Sequence, residues 1–354
     1  MVDKIILGND NKDNINLIKK NILSLYSLED SEVTVIKFKD TEKQRAIYKV
    51  TYRDKAFCLK KVYYDENSLL YVYSAMEWLF RNGINVPKLL PCKNNERFVK
   101  YDSMLFILTP WVEGNKCNFD NLEHLELSIK TLAKVHRVSN NFFPIIKNTS
   151  RETLYNYSES IEKHHNELLQ SLTLAQKYND KFSSIFLENF NNNLELSKLS
   201  LQLSYSIDTS NLSTSLCHGD YVNKNIIINN NNDLWLIDFD KCKYDYCAHD
   251  ISYFLRRLLK RSTTNWNCGL TLNLLNTYIK TKNLTDSDLK YILAYLAFPQ
   301  KYWKISRDYY KNINKCNKSS FITILNKSLD KTENQLEYIY RMIDIMSKYY
   351  DISF

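Results

Sequence analysis

Glycine and proline are scarce in this chain: five of each in 354 residues. Its loops must therefore be built from Asn, Asp, Ser and Lys, whose side chains bend the backbone by hydrogen-bonding to it. Long apolar runs are absent too, so no bilayer-spanning helix is expected. The start, MVDKIILGNDNKDN, turns polar after three apolar residues, which argues against a secretory leader and makes the cytoplasm the expected compartment. None of the eight cysteines forms a CxxC pair. Cys242, Cys247 and His249 lie close in sequence, but their spacing matches no structural zinc pattern, so reduced, partly buried thiols are expected. Blocks of five or more like charges are absent as well. The net charge of +8 comes from scattered Lys and Arg, and reads as a solvated surface rather than a nucleic-acid-binding one. A nucleotide or phosphorylated ligand needs only a few well-placed cations.

What is present is ordinary for a soluble globular protein: 44% apolar and 25% charged residues, with no internal repeat. The composition of VTVIKF (33–38), RAIYKVTY (45–52) and AFCLKKVYY (56–64) predicts strands. A helical stripe follows over about 66–82, with Gly83 as its C-terminal stop. SMLFILTPWVEG (103–114) reads as a buried strand ending in a turn. From Asn121 the pattern is mostly helical: 122–139, then long segments at 151–178 and 181–203. One exception is SLCHGDYVNKNIIINNNNDLWLIDFD (215–240), where NIIIN and LWLID flank an Asn-rich tract in the manner of a hairpin. A strand-rich first lobe, a connector near 110–115 and a helix-rich second lobe make an α+β, bilobal, protein-kinase-like arrangement. The expected division is 1–110, a small antiparallel sheet lobe that binds nucleotide, and 111–354, a helical lobe with the catalytic loop and substrate region.

The chemistry concentrates in His218-Gly219-Asp220 and Asn225. An aspartate on a loop with an asparagine five positions later is the spacing of a kinase catalytic loop. The carboxylate takes the proton of the attacking hydroxyl, and the amide oxygen is a hard neutral ligand for magnesium. One hairpin later Asp238 ends LWLID, where it can bridge metal and phosphates. A polar turn followed by an Asp-capped strand would explain either half alone; the ordered combination is the specific signal.

HGDxxxxN followed by IDFD resembles the phosphotransferase signature of aminoglycoside, choline and related small-molecule kinases. IDFDKCKYDYCAHDISYFLRRLLK (237–260) and AFPQKYWKISRDYY (297–310) are similar to the CotS family of spore coat proteins, which belongs to the same superfamily. The resemblance spans about Val35 to Tyr310. It implies a lysine on the third strand that holds nucleotide phosphates, for which Lys60 and Lys61 compete. Phe57 and Leu59 share a face with Lys61, and that apolar face belongs to the core, so strand alternation selects Lys60. The segment Leu108–Gly114 resembles the interlobe hinge, where the Pro110 carbonyl and the Val112 N–H would bond adenine. His218 is implied to shape the catalytic loop, and Asp250 to brace it from the following helix. Asp240 is a second metal neighbour or a loop cap. The acceptor would meet helices within 121–205 and 262–312, near Tyr253, Arg256, Arg257, Trp303, Lys304 and Arg307.

Two features depart from that pattern. KFKDTEKQRA, between Ile36 and Ile47, has no glycine, so any phosphate cradle must use a bulkier turn. The helix glutamate that should pair with the strand lysine falls near Val72, with Glu66 and Glu77 the nearest carboxylates. Two expectations follow. One is an ATP- and Mg2+-dependent phosphotransferase acting on a hydroxyl or amine of a small molecule. The other is a catalytically weak or inactive coat component that meets other spore coat proteins. Neither involves nucleic acid or a membrane.

Overall fold

The computed structural model describes residues 12–39 and 45–353; most of the N-terminal stretch, and residues 40–44 of the glycine-free segment, lie outside them. Its backbone contacts group the chain into two units. The first takes the described residues up to Cys117 together with Val138–Glu152 and Asn223–Lys243. The second takes Asn118–Arg137, Thr153–Val222 and the residues from Tyr244 onward.

The first unit is organised by a five-stranded antiparallel sheet. Its strands are β1 (Glu32–Lys39), β2 (Arg45–Tyr52), β3 (Lys55–Val62), β4 (Val99–Tyr101) and β5 (Met104–Pro110), in the order β1-β2-β3-β5-β4. Burial alternates along β2: Ala46, Tyr48 and Val50 are buried, while Arg45, Ile47, Lys49 and Thr51 on the other face are only partly so. Tyr48, Val50, Leu59, Phe106 and Leu108 form a core with Ile18 of the Lys12–Asn21 helix and Ile22 just after it. Each such fully buried side chain contributes about 1.5–3 kcal/mol relative to exposure.

The Glu66–Arg81 helix is N-capped by Asp65, whose side chain accepts from the Ser68 N–H. It stops where the sequence places a stop. Gly83 sits at φ 75, its N–H donates to Phe80, and Ile84 N–H reaches back to Leu79, a Schellman ending. The hairpin forms as expected, with Ile226 opposite Leu236 and Ile228 opposite Leu234. It gains a third, short strand, Asn115–Lys116, against Ile227 and Ile228. Only glycine fits just before that strand. Gly114 lies at φ 138, and a Cβ there would meet the Ile228 carbonyl oxygen at 2.5 Å. The Leu236 N–H donates to the Asn85 carbonyl at 2.9 Å. By contacts the hairpin therefore groups with the sheet, although it lies beyond the expected boundary at residue 110.

The second unit is helical, and here the sequence reading needs correction. The expected helix 151–178 is interrupted: Thr149–Glu152 is one turn that groups with the first unit, and Tyr157–Tyr178 starts afresh in the second. Asn156 caps it, its side-chain oxygen accepting from Ser158 and Glu159. The expected helix 181–203 is likewise two, Lys181–Glu188 and Phe190–Tyr205. The break falls at Asn189, whose backbone leaves the helical region at φ −106, ψ 11 and whose side chain donates to the Ile185 carbonyl at 2.9 Å. Asparagine competes for backbone partners in this way and favours helix ends. Phe182, Phe186, Tyr302, Tyr309 and Leu325 make one core here, with Phe182 stacked on Tyr309 and Phe186 on Tyr302.

Asp180 ties three of these helices together. It caps Lys181–Glu188 through the Ser183 N–H and receives Tyr309 Oη and Lys318 Nζ. Burial alone would raise its pKa, but these donors, Tyr309 foremost, hold it down at about 2. A carboxyl depressed below its unfolded value stabilises fully above that value and loses its contribution as pH falls through the folded one. Asp180→Ala is expected to lose about 1–2 kcal/mol at pH 7, the worth of a helix cap. Its acid unfolding should also lose the step between pH 4 and 2, read by circular dichroism.

Candidate functional site

In the first unit the site grows from β3. Lys60 stands opposite Ile47 of β2 and Ile107 of β5, with Leu59 turned into the core. The alternate face carries its ammonium onto two carboxylates: Asp238 Oδ1 at 2.6 Å and Asp240 Oδ1 at 2.7 Å. Lys60 is 9% exposed. Burial disfavours its charge, yet Asp240, then Asp238, hold its pKa above the ordinary lysine value. Lys61 is left partly buried, and burial alone draws its pKa down.

The two aspartates come together because of the backbone after the hairpin. Asp238 takes the left-handed conformation, φ 66 and ψ 61, and Phe239–Lys241 form one tight turn. For a non-glycine residue that conformation costs roughly 1–2 kcal/mol, and such strain concentrates at functional positions. Just upstream, the Ile237 N–H donates to the Asn225 carbonyl at 3.0 Å, so the hairpin links the backbones carrying Asn225 and Asp238. A buried amide and a partly open carboxylate are hard oxygen donors that suit Mg2+, which keeps its remaining positions for phosphate and water. The donor set therefore fits that ion.

Around this centre lie residues that sequence reasoning did not single out. Arg45 approaches Asp240 Oδ2 at 3.7 Å, and Tyr64 donates to Asp240 Oδ1 at 3.3 Å. Arg151 donates to the main-chain carbonyls of Cys242 at 2.6 Å and Asp240 at 3.0 Å. Arg151 lies in the stretch expected to begin a long helix, which hid it. At the end of β5 the Trp111 N–H bonds the Ala56 carbonyl at 2.9 Å, so Pro110 and Val112 flank the last rung of the sheet. Glu66 lies 3.8 Å from Lys100, and Glu77 pairs with Arg81. Val72 is buried in its helix.

In the second unit the loop 218–220 is held by Asp250, in the first turn of the Cys247–Leu259 helix. One carboxylate receives two successive main-chain donors: His218 N–H at 2.6 Å and Gly219 N–H at 2.9 Å. Gly219 sits at φ 71, a conformation glycine adopts freely. The ring of His218 accepts the Asp220 N–H at 3.3 Å. Tyr253 donates to Asp220 Oδ1 at 3.2 Å and itself receives Arg257 at 3.0 Å. Of the other residues expected near an acceptor, Trp303 is core: it is buried and its indole donates to Glu167, while Arg307 lies over its ring. Arg256 bonds Gln300 and the Phe298 carbonyl.

Beneath the loop His136, Cys217 and Asp250 cluster closely enough to suggest metal ligands. Each is already engaged. His136 bonds Tyr278 Oη, Cys217 faces the Asp245 and Tyr246 carbonyls, and Asp250 holds the loop. Burial pulls the imidazole of His136 down, but Cys247 and Asp250 outweigh it and raise its pKa to about 9. Burial also works against the charge of Asp250, yet His136 keeps its pKa below the ordinary value. The cluster is a brace for the loop. All eight cysteines are free thiols.

A model of the phosphotransferase enzyme family matches residues 38–278. Among solved structures, the chain is similar to an aminoglycoside phosphotransferase from Alicyclobacillus acidocaldarius, at 18% identity and TM-score 0.73, covering 90% of this chain and 94% of that one. It is also similar to a spectinomycin phosphotransferase in complex with ADP and spectinomycin, at 16% identity and TM-score 0.60, over 90% and 97% of the two chains. A third is the amicoumacin kinase hAmiN in complex with AMP-PNP and Ca2+, at 13% identity and TM-score 0.58, over 92% and 96%. At these identities the likeness establishes the fold, a mixed α+β, protein-kinase-like one.

Proposed function

The chain belongs to the phosphotransferase enzyme family, and from that premise we propose that it transfers the terminal phosphate of ATP, with Mg2+, to a hydroxyl or amine of a small molecule. The observation that carries the reading is the buried Lys60 ammonium paired with Asp238, beside the hairpin that bears Asn225. A lysine fixed in this way is a preformed phosphate anchor. Asn225 and Asp238 would hold the metal, which when bound neutralises charge on the phosphates. The Pro110 carbonyl and Val112 N–H would receive adenine. Relatives crystallised with ADP and with AMP-PNP and Ca2+ favour an adenine nucleotide with a divalent ion.

Asp220 is the proposed base. It accepts from Tyr253, and the loop beneath it is pinned by Asp250 through two main-chain N–H groups. His218 shapes the loop through its ring nitrogen and needs to exchange no proton. An acceptor hydroxyl at Asp220 would hand over its proton as the oxygen bonds to phosphorus and ADP leaves. The acceptor is proposed to lie against the second unit's helices, where Tyr253 and Arg257 already form a hydrogen-bonded chain to Asp220.

We further propose a place in the spore coat, on the CotS-like stretches 237–260 and 297–310. The glycine-free segment before β2 favours a second reading, a kinase-fold coat component with weak or absent catalysis. Binding and turnover separate the two. Calorimetry should show Mg2+-dependent ATP binding by the wild type and its loss in Asp238→Ala; equal binding by both would remove Asp238 from the metal site. Asp220→Asn should bind ATP as the wild type does and lose about 10²–10⁴-fold in turnover, the worth of a positioned general base. ADP release against a panel of sugars, amino alcohols and aminoglycosides measures it. An Asp220→Asn protein with wild-type turnover refutes the base assignment, and one that leaves coat assembly and a zero basal turnover unchanged favours the scaffold.

A further inference from the structure

Kinase-fold enzymes hold the phosphate-binding lysine with a glutamate from the following helix, and among the described residues no glutamate pairs with Lys60. Glu66 is exposed and lies near Lys100, Glu77 pairs with Arg81, and Val72 between them is buried and apolar. An ammonium as buried as that of Lys60 requires a permanent counter-charge, because an unpaired buried charge is strongly destabilising. Asp238 supplies one contact, but on the reading above Asp238 turns to the metal when nucleotide binds.

We propose that Asp240 is the positioning carboxylate of Lys60, doing from the loop after the hairpin what the missing helix glutamate would do. Four observations converge on it. Its Oδ1 lies 2.7 Å from Lys60 Nζ, with Tyr64 Oη on the same oxygen. Its side chain is 4% exposed, whereas that of Asp238 is 28% exposed; Asp240 is enclosed and Asp238 is open. Its main-chain carbonyl is gripped by Arg151, which fixes the loop and thereby the carboxylate. Its second oxygen, Oδ2, is buried without a hydrogen bond and has the Arg45 guanidinium 3.7 Å away. Lys60, Arg45, Asp238 and Asp240 thus form a charge-balanced quartet. When Asp238 is drawn away, Lys60 keeps Asp240, and the ammonium stays aimed while phosphate oxygens replace Asp238 as its second partner. The signal in the sequence is the D-x-D spacing of Asp238 and Asp240, which the tight turn at Phe239–Lys241 folds onto one amine.

This inference rests on Lys60 being the phosphate anchor, and the test separates the two. Calorimetry would measure Mg-ATP and adenosine binding to wild type, Asp240→Asn and Asp240→Glu, together with the Mg2+ concentration that half-saturates ATP binding. Asp240→Asn is expected to weaken Mg-ATP at least tenfold, with adenosine affinity and half-saturating Mg2+ unchanged. Asp240→Glu, which keeps the charge, should recover part of the loss, and should any Asn variant fail to fold, Tyr64→Phe should give a smaller loss of the same pattern. Unchanged Mg-ATP affinity in Asp240→Asn overturns the proposal, as does an equal loss of adenosine. A raised Mg2+ requirement overturns it too, and makes Asp240 a metal ligand instead. A wild type that binds no Mg-ATP overturns the phosphotransferase reading itself, and the inference with it.

Discussion

One buried charge organises the sheet unit. The ammonium of Lys60 has almost no access to water, and desolvation of that kind costs several kcal/mol unless paid for by close opposite charge. Two aspartates supply it at 2.6 and 2.7 Å. To bring both there the backbone at Asp238 enters the left-handed region, the following turn is clamped by Arg151, and the hairpin behind it is zipped to Asn115–Lys116 through a position only glycine fills. The sheet order, the hairpin register and the turn after it are all needed to satisfy that one charge.

The helical unit solves a different problem. Its loop at 218–220, which carries the proposed base Asp220, is held by a single carboxylate, Asp250, receiving two consecutive main-chain donors. The charge of Asp250 is itself supported by His136 from beneath. Two buried ionic arrangements, one in each unit, therefore carry the residues to which the chemistry is assigned.

Much of this was readable in the sequence because it rests on local rules. Alternation along AFCLKKV separates Lys60 from Lys61, since Leu59 must go inward. The hairpin announces itself by two apolar triplets around an Asn-rich tract, and the helix end at Gly83 by its glycine. Apolar spacing persists across Asn156 and Asn189 and predicts continuous helices over 151–178 and 181–203; what breaks them is side-chain competition for backbone groups, which periodicity does not register. Arg45, Tyr64 and Arg151 were invisible for another reason. Each is distant in sequence from Asp240 and meets it only through the tertiary fold, so no spacing rule could find it. The sequence leaves Asp240 open between a metal neighbour and a loop cap; its distance from Lys60, its enclosure, the Arg151 grip on its carbonyl and its buried Oδ2 favour a third role.

Everything proposed here for the sheet unit depends on Lys60 being the anchor for nucleotide phosphates. An acyl-phosphate derivative of ATP, which acylates a lysine lying against the phosphates, tests it most directly when the labelled residue is identified by mass spectrometry. Acylation at Lys60, suppressed by excess Mg-ATP, is the expected result. Labelling of Lys61 or of scattered surface lysines, with Lys60 unmodified or with no protection by Mg-ATP, would contradict it.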